Sequence, residues 1–341
     1  MRCSSAADDP SRRRRPARDD WRWQMRHRLL GLEALLRHLG AAEPADPSGV
    51  RAAHRYRMAV TPYYAGLIRR ADARDPIFRL CAAAGGELRA EAETAADPFG
   101  ERRRMPVPGV IRRYRDRCVL LATSACPVYC RHCTRKHGLS GRRAHPRLAP
   151  LRDVARYLRR HPEIREVIVS GGDPLTLPTP RLDRLLAALR RGTAVEILRL
   201  GTRAPVTLPQ RVTPELARML RRHRPLWLNT HFNHPVEITP DAVRACERLA
   251  DAGIPLGNQT VLLRGVNDDA DTLEALFRGL LRARVRPYYL LQCDPVAGVG
   301  HFRVGLSRGR AIMRELRGRL SGLALPAYVA DRAGADSKIR L

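Results

Sequence analysis

Cys126, Cys130 and Cys133 stand close together in the run Cys126-Pro-Val-Tyr-Cys130-Arg-His-Cys133. Three thiolates at this spacing can wrap one corner of a [4Fe–4S] cube, ligating three irons and leaving the fourth open. An open iron can be chelated by the amino and carboxylate groups of S-adenosylmethionine (SAM). One electron from the cluster then cleaves the sulfonium to a 5′-deoxyadenosyl radical. A structural zinc ion instead needs four ligands. His132 or His137 could supply the fourth, so spacing alone leaves zinc open. Cys3, Cys81, Cys118, Cys246 and Cys293 are isolated and read as small buried hydrophobes or incidental thiols.

A second candidate is the turn Ser170-Gly171-Gly172-Asp173. Its glycines let a backbone approach a ligand closely, and its main-chain groups can meet the methionyl ammonium of SAM. The turn alone is weak evidence, and its value comes from lying one strand after the cysteines.

The elements that must position these residues follow from periodicity. Arg117 to Thr123 is a buried-strand run ending at the cysteine loop. Further strand runs fall near 167–170, 195–201, 226–232, 254–263 and 287–292. Amphipathic segments lie between them, near 151–160, 180–191, 214–222, 240–251 and 270–283, and a helix near 308–320 and a short run at 327–330 close the chain. This alternation implies a parallel sheet with right-handed crossovers. The fold class is therefore α/β, and six strands predict an open, partial (β/α)6 barrel. Gly201-Thr202-Arg203, Asn229-Thr230-His231 and Cys293-Asp294 also follow strands, so the unusual residues gather at one mouth.

Three segments are expected. Residues 1–19, rich in Arg, Asp, Ser and Pro, read as a disordered basic tail. Residues 20–105 read as a helical N-terminal region, starting with one helix from Trp21 to about Leu39 that Gly40 stops. Residues 106–341 carry the barrel.

The net charge of +29 invites a nucleic-acid reading. Against it, Lys136 and Lys338 are the only lysines, and arginine is scattered over helix faces without a stripe of interleaved aromatics. Specific nucleic-acid binding is therefore disfavoured, and non-specific adhesion to acidic polymers is expected. No apolar run approaches the length of a membrane span, and no apolar segment follows the basic N-terminus. The expectation is a cytoplasmic protein without a disulfide framework.

The chain resembles the lysine 2,3-aminomutase family of radical SAM enzymes from Trp21 to Lys338. The resemblance rests on ordered runs such as Arg57-Met-Ala-Val-Thr-Pro-Tyr-Tyr64, Tyr129-Cys-Arg-His-Cys-Thr-Arg135 and Leu208-Pro-Gln-Arg-Val-Thr-Pro214. Trp227-Leu-Asn-Thr-His-Phe-Asn-His-Pro235, Leu256-Gly-Asn-Gln259 and Gln292-Cys-Asp294 extend it. It implies a radical SAM barrel, a [4Fe–4S] cluster on Cys126, Cys130 and Cys133, SAM, and pyridoxal 5′-phosphate (PLP). It places SAM against Ser170, Gly171, Gly172, Asp173, His231 and Gln259. The PLP lysine falls at Lys338, seven residues after Asp331. Arginine cannot form a Schiff base, so a lysine in a chain that otherwise uses arginine asks for a reason. Arg113, Tyr114 and Arg117 match the residues that grip PLP, whereas Lys136 reads as a surface base. Arg135 matches the residue that holds the substrate carboxylate, and Asp294 and Asp331 match the pair that receives a distal ammonium.

The implied reaction is 1,2-amino migration, turning L-lysine into β-lysine with SAM regenerated. A reducing electron donor and a homo-oligomer are expected with it. The chain departs from the family in ending Lys338-Ile-Arg-Leu341 and in carrying Asp269 where longer members have a zinc cysteine, so no zinc is expected. The alternatives are a mutase serving elongation factor P modification, an arginine 2,3-aminomutase, and, from another class, a basic nucleic-acid-binding metalloprotein.

Overall fold

The computed structural model describes residues 17–42, 47–90, 93–139 and 149–341. Most of the expected disordered tail therefore lies outside the described residues. Ala17–Asp19 instead form a 3-10 turn, because the Arg18 carbonyl accepts a 2.8 Å bond from the Gln24 side chain.

The N-terminal part runs α1 (Trp21–Arg26), β1 (Leu29–Leu30), α2 (Leu32–His38), α3 (Ser48–Arg55), β2 (Ala59–Val60), α4 (Pro62–Ala65) and α5 (Pro76–Cys81). The single helix expected over Trp21–Leu39 is two. Gly31 takes a left-handed φ of 87°, and Leu29 and Leu30 pair antiparallel with Val60 and Ala59. Apolar spacing continued across the break because α1 and α2 bury the same side, with Trp21, Leu32, Leu35 and Leu36 in one core.

Among the described residues nine strands form one sheet, ordered from last to first. β3 (Val110–Ile111) lies antiparallel on β4 (Arg117–Thr123). Parallel strands follow: β5 (Glu166–Gly171), β6 (Ile197–Gly201), β7 (Leu226–Thr230), β8 (Leu256–Leu262), β9 (Arg286–Gln292) and β10 (Ala327–Ala330). β11 (Ile339–Arg340) closes the far edge antiparallel to β10. The helices are α6 (Lys136–Leu139), α7 (Leu151–Arg160), α8 (Thr179–Arg190), α9 (Ala204–Thr207), α10 (Pro214–Arg221), α11 (Pro240–Asp251), α12 (Ala270–Arg282) and α13 (Leu306–Arg319).

Strand alternation sets two faces. Val167, Val169, Leu198, Leu200 and Leu228 are buried with Leu158, Leu182, Leu186, Leu216 and Leu249 of the helices in one core. The residues between them, including Ile168, Ser170, Arg199 and Asn229, line an interior cavity. Arg113, before β4, meets Asp331, after β10, at 3.1 Å. The two ends of the strand order thus approach each other, and the fold is a partial radical SAM barrel. No helix among the described residues is long and apolar enough to cross a membrane.

Candidate functional site

The cavity holds about 1210 Å³. That exceeds the roughly 300–1000 Å³ usual for one ligand, so cofactors and a substrate can share it. Each site residue read from the sequence lines it: the three cysteines, the Ser170–Asp173 turn, His231 and Gln259, Arg113, Tyr114 and Arg117, and Arg135, Asp294, Asp331 and Lys338.

The cysteine loop leaves β4 and is held from the N-terminal side. Arg28 donates to the Cys126 carbonyl at 2.6 Å, and the Tyr129 amide donates to the Ala59 carbonyl at 3.1 Å. The Arg131 amide donates to the Leu80 carbonyl at 3.0 Å. Burial pushes the Cys126 and Cys133 thiols up, and the neighbouring cysteines add to it. A partner that takes these sulfurs as thiolates must therefore displace their protons. The three cysteines lie on one loop and all line the cavity. Three sulfurs from one loop, facing one cavity, are a donor set of the kind a [4Fe–4S] cube takes.

The Ser170–Asp173 turn packs against the cysteine loop. The Gly172 and Asp173 amides donate to the Thr123 and Ala125 carbonyls of the cysteine loop, at 2.6 and 2.8 Å. A Cβ on Gly171 would lie 2.4 Å from the Thr123 oxygen, and one on Gly172 2.3 Å from the Ala125 oxygen. The glycines are therefore needed for approach to the loop itself. The Asp173 carboxylate accepts from the Leu175 amide (2.9 Å), the Thr202 hydroxyl (2.6 Å) and the Arg203 amide (2.8 Å). Asp173 orders the next strand's end, with its side chain directed into the protein.

Arg203 was missed by sequence reasoning beyond its place after β6. Its Nη1 donates to the Cys130 sulfur at 2.8 Å, its Nε to the His231 carbonyl at 3.0 Å, and its Nη2 to Glu237 and the Tyr64 hydroxyl. The usable signal was an arginine directly after a strand that faces the cysteines. Partial burial, and then the Arg203 charge, lower the His231 imidazole to about 4 and keep it neutral. Its Nδ1 faces the Gln259 carbonyl at 3.0 Å and so carries the hydrogen, leaving Nε2 an acceptor.

At the other end of the cavity Lys338 donates from Nζ to one oxygen of Asp331, and Arg113 donates to the other at 3.1 Å. Asp294 lies nearby, partly buried. Burial, and then the Asp331 charge, push its carboxyl up to about 7. Arg135 is held by Glu101 in a two-pronged pair at 2.8 and 2.9 Å. The Arg117 guanidinium lies 4.0 Å over the Tyr114 ring, with Arg113 at 5.6 Å from the same ring.

Comparison with known proteins gives the family. The radical SAM superfamily model matches residues 120–276. The L-lysine 2,3-aminomutase of Fusobacterium nucleatum is 44% identical over 320 residues, 94% of this chain and 75% of that protein. The enzyme of the same name from Clostridium subterminale is 44% identical, covering 94% and 77%. The chain belongs to the lysine 2,3-aminomutase family. It is a radical SAM aminomutase, an isomerase acting on a small amino acid. The glutamate 2,3-aminomutase of Clostridioides difficile is also similar, at 39% identity over 326 residues, 95% of this chain and 77% of that protein.

The family implies a [4Fe–4S] cluster, SAM and PLP, and the residues present fit all three. The thiols suit the cluster as argued. Neutral His231, Gln259 and the Ser170–Asp173 turn line the same cavity as the thiols, where SAM would sit. Lys338 reaches the cavity beside two guanidiniums and a tyrosine ring, as an aldehyde-bearing phosphate requires. Lys136 corrects the sequence reading. It is 2% exposed, because its ammonium finds three buried acceptors.

Proposed function

We propose that this aminomutase converts L-lysine to β-lysine, moving the nitrogen from the α- to the β-carbon. One observation carries the choice of lysine. Asp294 and Asp331 share one end of the cavity, and an ammonium, that of Lys338, already rests on Asp331.

Cys126, Cys130 and Cys133 are read as holding the cluster, with Ser170, Gly171, Gly172, His231 and Gln259 around SAM. Arg113, Tyr114 and Arg117 grip PLP, and Lys338 carries it. When bound, the cluster and SAM supply hydrogen abstraction, and PLP supplies stabilisation of the migrating nitrogen's radical. The chain's own residues then choose and hold the substrate. Lys338 would hold PLP through its amine, and Asp331, which now accepts from Lys338, would then be open to a substrate ammonium. A lysine side chain would bring its ammonium to the pair, and that charge would favour the ionised form of Asp294, whose proton leaves to water. Arg135 takes the α-carboxylate, with Glu101 holding the guanidinium in place. Glutamate would bring a third carboxylate to two others and is disfavoured by Coulomb repulsion. The cluster would need an external one-electron donor, and a homo-oligomer is the form we propose.

The test is anaerobic incubation of the reconstituted, dithionite-reduced protein with SAM, PLP and each of lysine, arginine and glutamate. β-Lysine formation is expected. Turnover of glutamate without lysine would sink the aspartate argument. Lys338→Ala should lose the PLP absorbance band while keeping iron at the wild-type level.

A further inference from the structure

Beyond Asp294 and Asp331 lies a second cavity of about 560 Å³. Gln292, Asp294, Asp331 and Leu341 line both it and the large cavity, so the two spaces share a wall. The aspartates of that wall have a part in the reading above, and Gln292 has none. It is the last residue of β9, just ahead of Asp294.

Both ends of the Gln292 amide are taken. Nε2 donates to the Val304 carbonyl, in the loop before α13, at 2.7 Å. Oε1 accepts from the hydroxyl of Tyr328 on β10. Tyr328 is buried and is itself confined by α13. A Cβ on Gly309 of that helix would lie 2.1 Å from the Tyr328 hydroxyl oxygen, so only glycine admits the phenol there. The amide is thus strung between β9, β10 and the start of α13. A long side chain with a free tip can swing aside for a ligand. One tied at both ends moves only by giving up both hydrogen bonds.

The place of this tie bears on reach. The distal cation of the substrate is read as resting on Asp294 and Asp331, which border the same wall. A lysine ammonium is compact and ends there. Arginine reaches further and ends in a planar, branched guanidinium. Two carboxylates attract either cation, so charge alone does not separate the two amino acids. A fixed obstacle beside the carboxylates does.

We propose that Gln292, tied to Val304 and Tyr328, is a specificity-determining residue that closes the distal end of the substrate cavity and makes the site prefer lysine to arginine. This rests on the reading that the two aspartates receive the substrate's distal cation. Shortening Gln292 opens the wall toward the second cavity and gives a guanidinium room there, with no change in charge.

The experiment is calorimetric titration of the PLP-loaded protein with lysine and with arginine, without SAM, so that nothing turns over. Wild type should bind lysine the more tightly. Gln292→Ala should lower the ratio of lysine to arginine affinity about tenfold, the scale on which a pocket tells apart ligands of slightly different size. Tyr328→Phe keeps the ring, frees one end of the amide, and should lower the ratio less. A merely structural role would weaken both amino acids alike and leave the ratio where it was. An unchanged ratio in Gln292→Ala overturns the proposal, as does a wild type that binds arginine as tightly as lysine. Should Gln292→Ala fail to take up PLP, Gln292→Asn, too short to hold both partners, decides by the same ratio. Glutamate bound in preference to both would instead defeat the aspartate reading on which the proposal rests.

Discussion

The Nη1 of Arg203 lies 2.8 Å from the sulfur of Cys130, while its Nη2 reaches Glu237, whose carboxylate is fully buried. One side chain therefore joins the loop of the thiols to the turn after β7, where Glu237 also accepts from the Asn233 and His234 amides at 2.6 and 3.1 Å. Removing the guanidinium strands a buried carboxylate. Arg203→Met should cost about 3–5 kcal/mol by urea unfolding, the scale for breaking a buried pair. It should also lower iron bound per chain. Full stability with full iron would show that Arg203 is dispensable to both.

The sequence carried most of the barrel because each strand–helix unit is locally consistent. α7 and α11 occupy the residues their apolar spacing marks, and Thr213 and Thr239 start α10 and α11 by accepting from Leu216 and Ala242 at 3.1 Å. The two-residue strands β1, β2, β3 and β11 were not legible, since their pairing depends on distant partners and no period fits in two residues. Within the site, residue types foretold the cysteines and the aspartates. They did not foretell that Lys136 is buried or that Arg203 meets a thiol, because both follow from segments 49 and 73 residues away.

Asp294 should make the empty protein's stability depend on pH. Its carboxyl rises from 3.8 to about 7 on folding, so folding favours its protonated form. The associated stability is complete below about pH 4 and is lost as pH rises through about 7. Asp294→Asn cannot lose a proton, so it should exceed wild type in urea midpoint at pH 8 and differ less at pH 5. A gap that does not widen with pH would contradict the assignment. A bound ammonium should reverse the disadvantage, so in PLP-loaded protein KM for lysine should fall between pH 6 and 8 in wild type and stay flat in Asp294→Asn.

Asp75 holds the base on which the cysteine loop rests. One oxygen caps α5 by accepting from the Ile77 and Phe78 amides at 2.8 and 2.9 Å. The other accepts from the Arg69 and Arg70 amides at 2.9 and 3.2 Å. Leu80 at the end of the same helix offers its carbonyl to the Arg131 amide. Asp75→Ala leaves these donors unpaired in a site only 5% exposed and should cost about 2–3 kcal/mol in urea unfolding. Asp75→Asn keeps one good acceptor and should fall between alanine and wild type. A loss under half a kilocalorie in Asp75→Ala would mean that water satisfies the cap.

Gly172 separates two explanations of the glycine turn. If its glycines serve only to admit a ligand, alanine there should weaken SAM binding and leave the protein without SAM intact. The geometry argues otherwise, since the added Cβ would lie 2.3 Å from the Ala125 oxygen and 2.8 Å from the Ser124 carbonyl carbon, both backbone atoms. The clash must be relieved by moving the end of β5 away from the cysteine loop, breaking the 2.6 Å bond from the Gly172 amide to Thr123. Gly172→Ala should therefore destabilise the protein before SAM is added, by about 1–3 kcal/mol as overpacking does. It should also lower the iron retained on reconstitution. Gly318→Ala is the matched control: an added Cβ meets nothing within 4 Å on the exposed face of α13. A helix gains about 0.5–1 kcal/mol from that exchange. Normal stability and iron in Gly172→Ala, with SAM affinity alone reduced, would show that the glycine serves the ligand and not the packing on the cysteine loop.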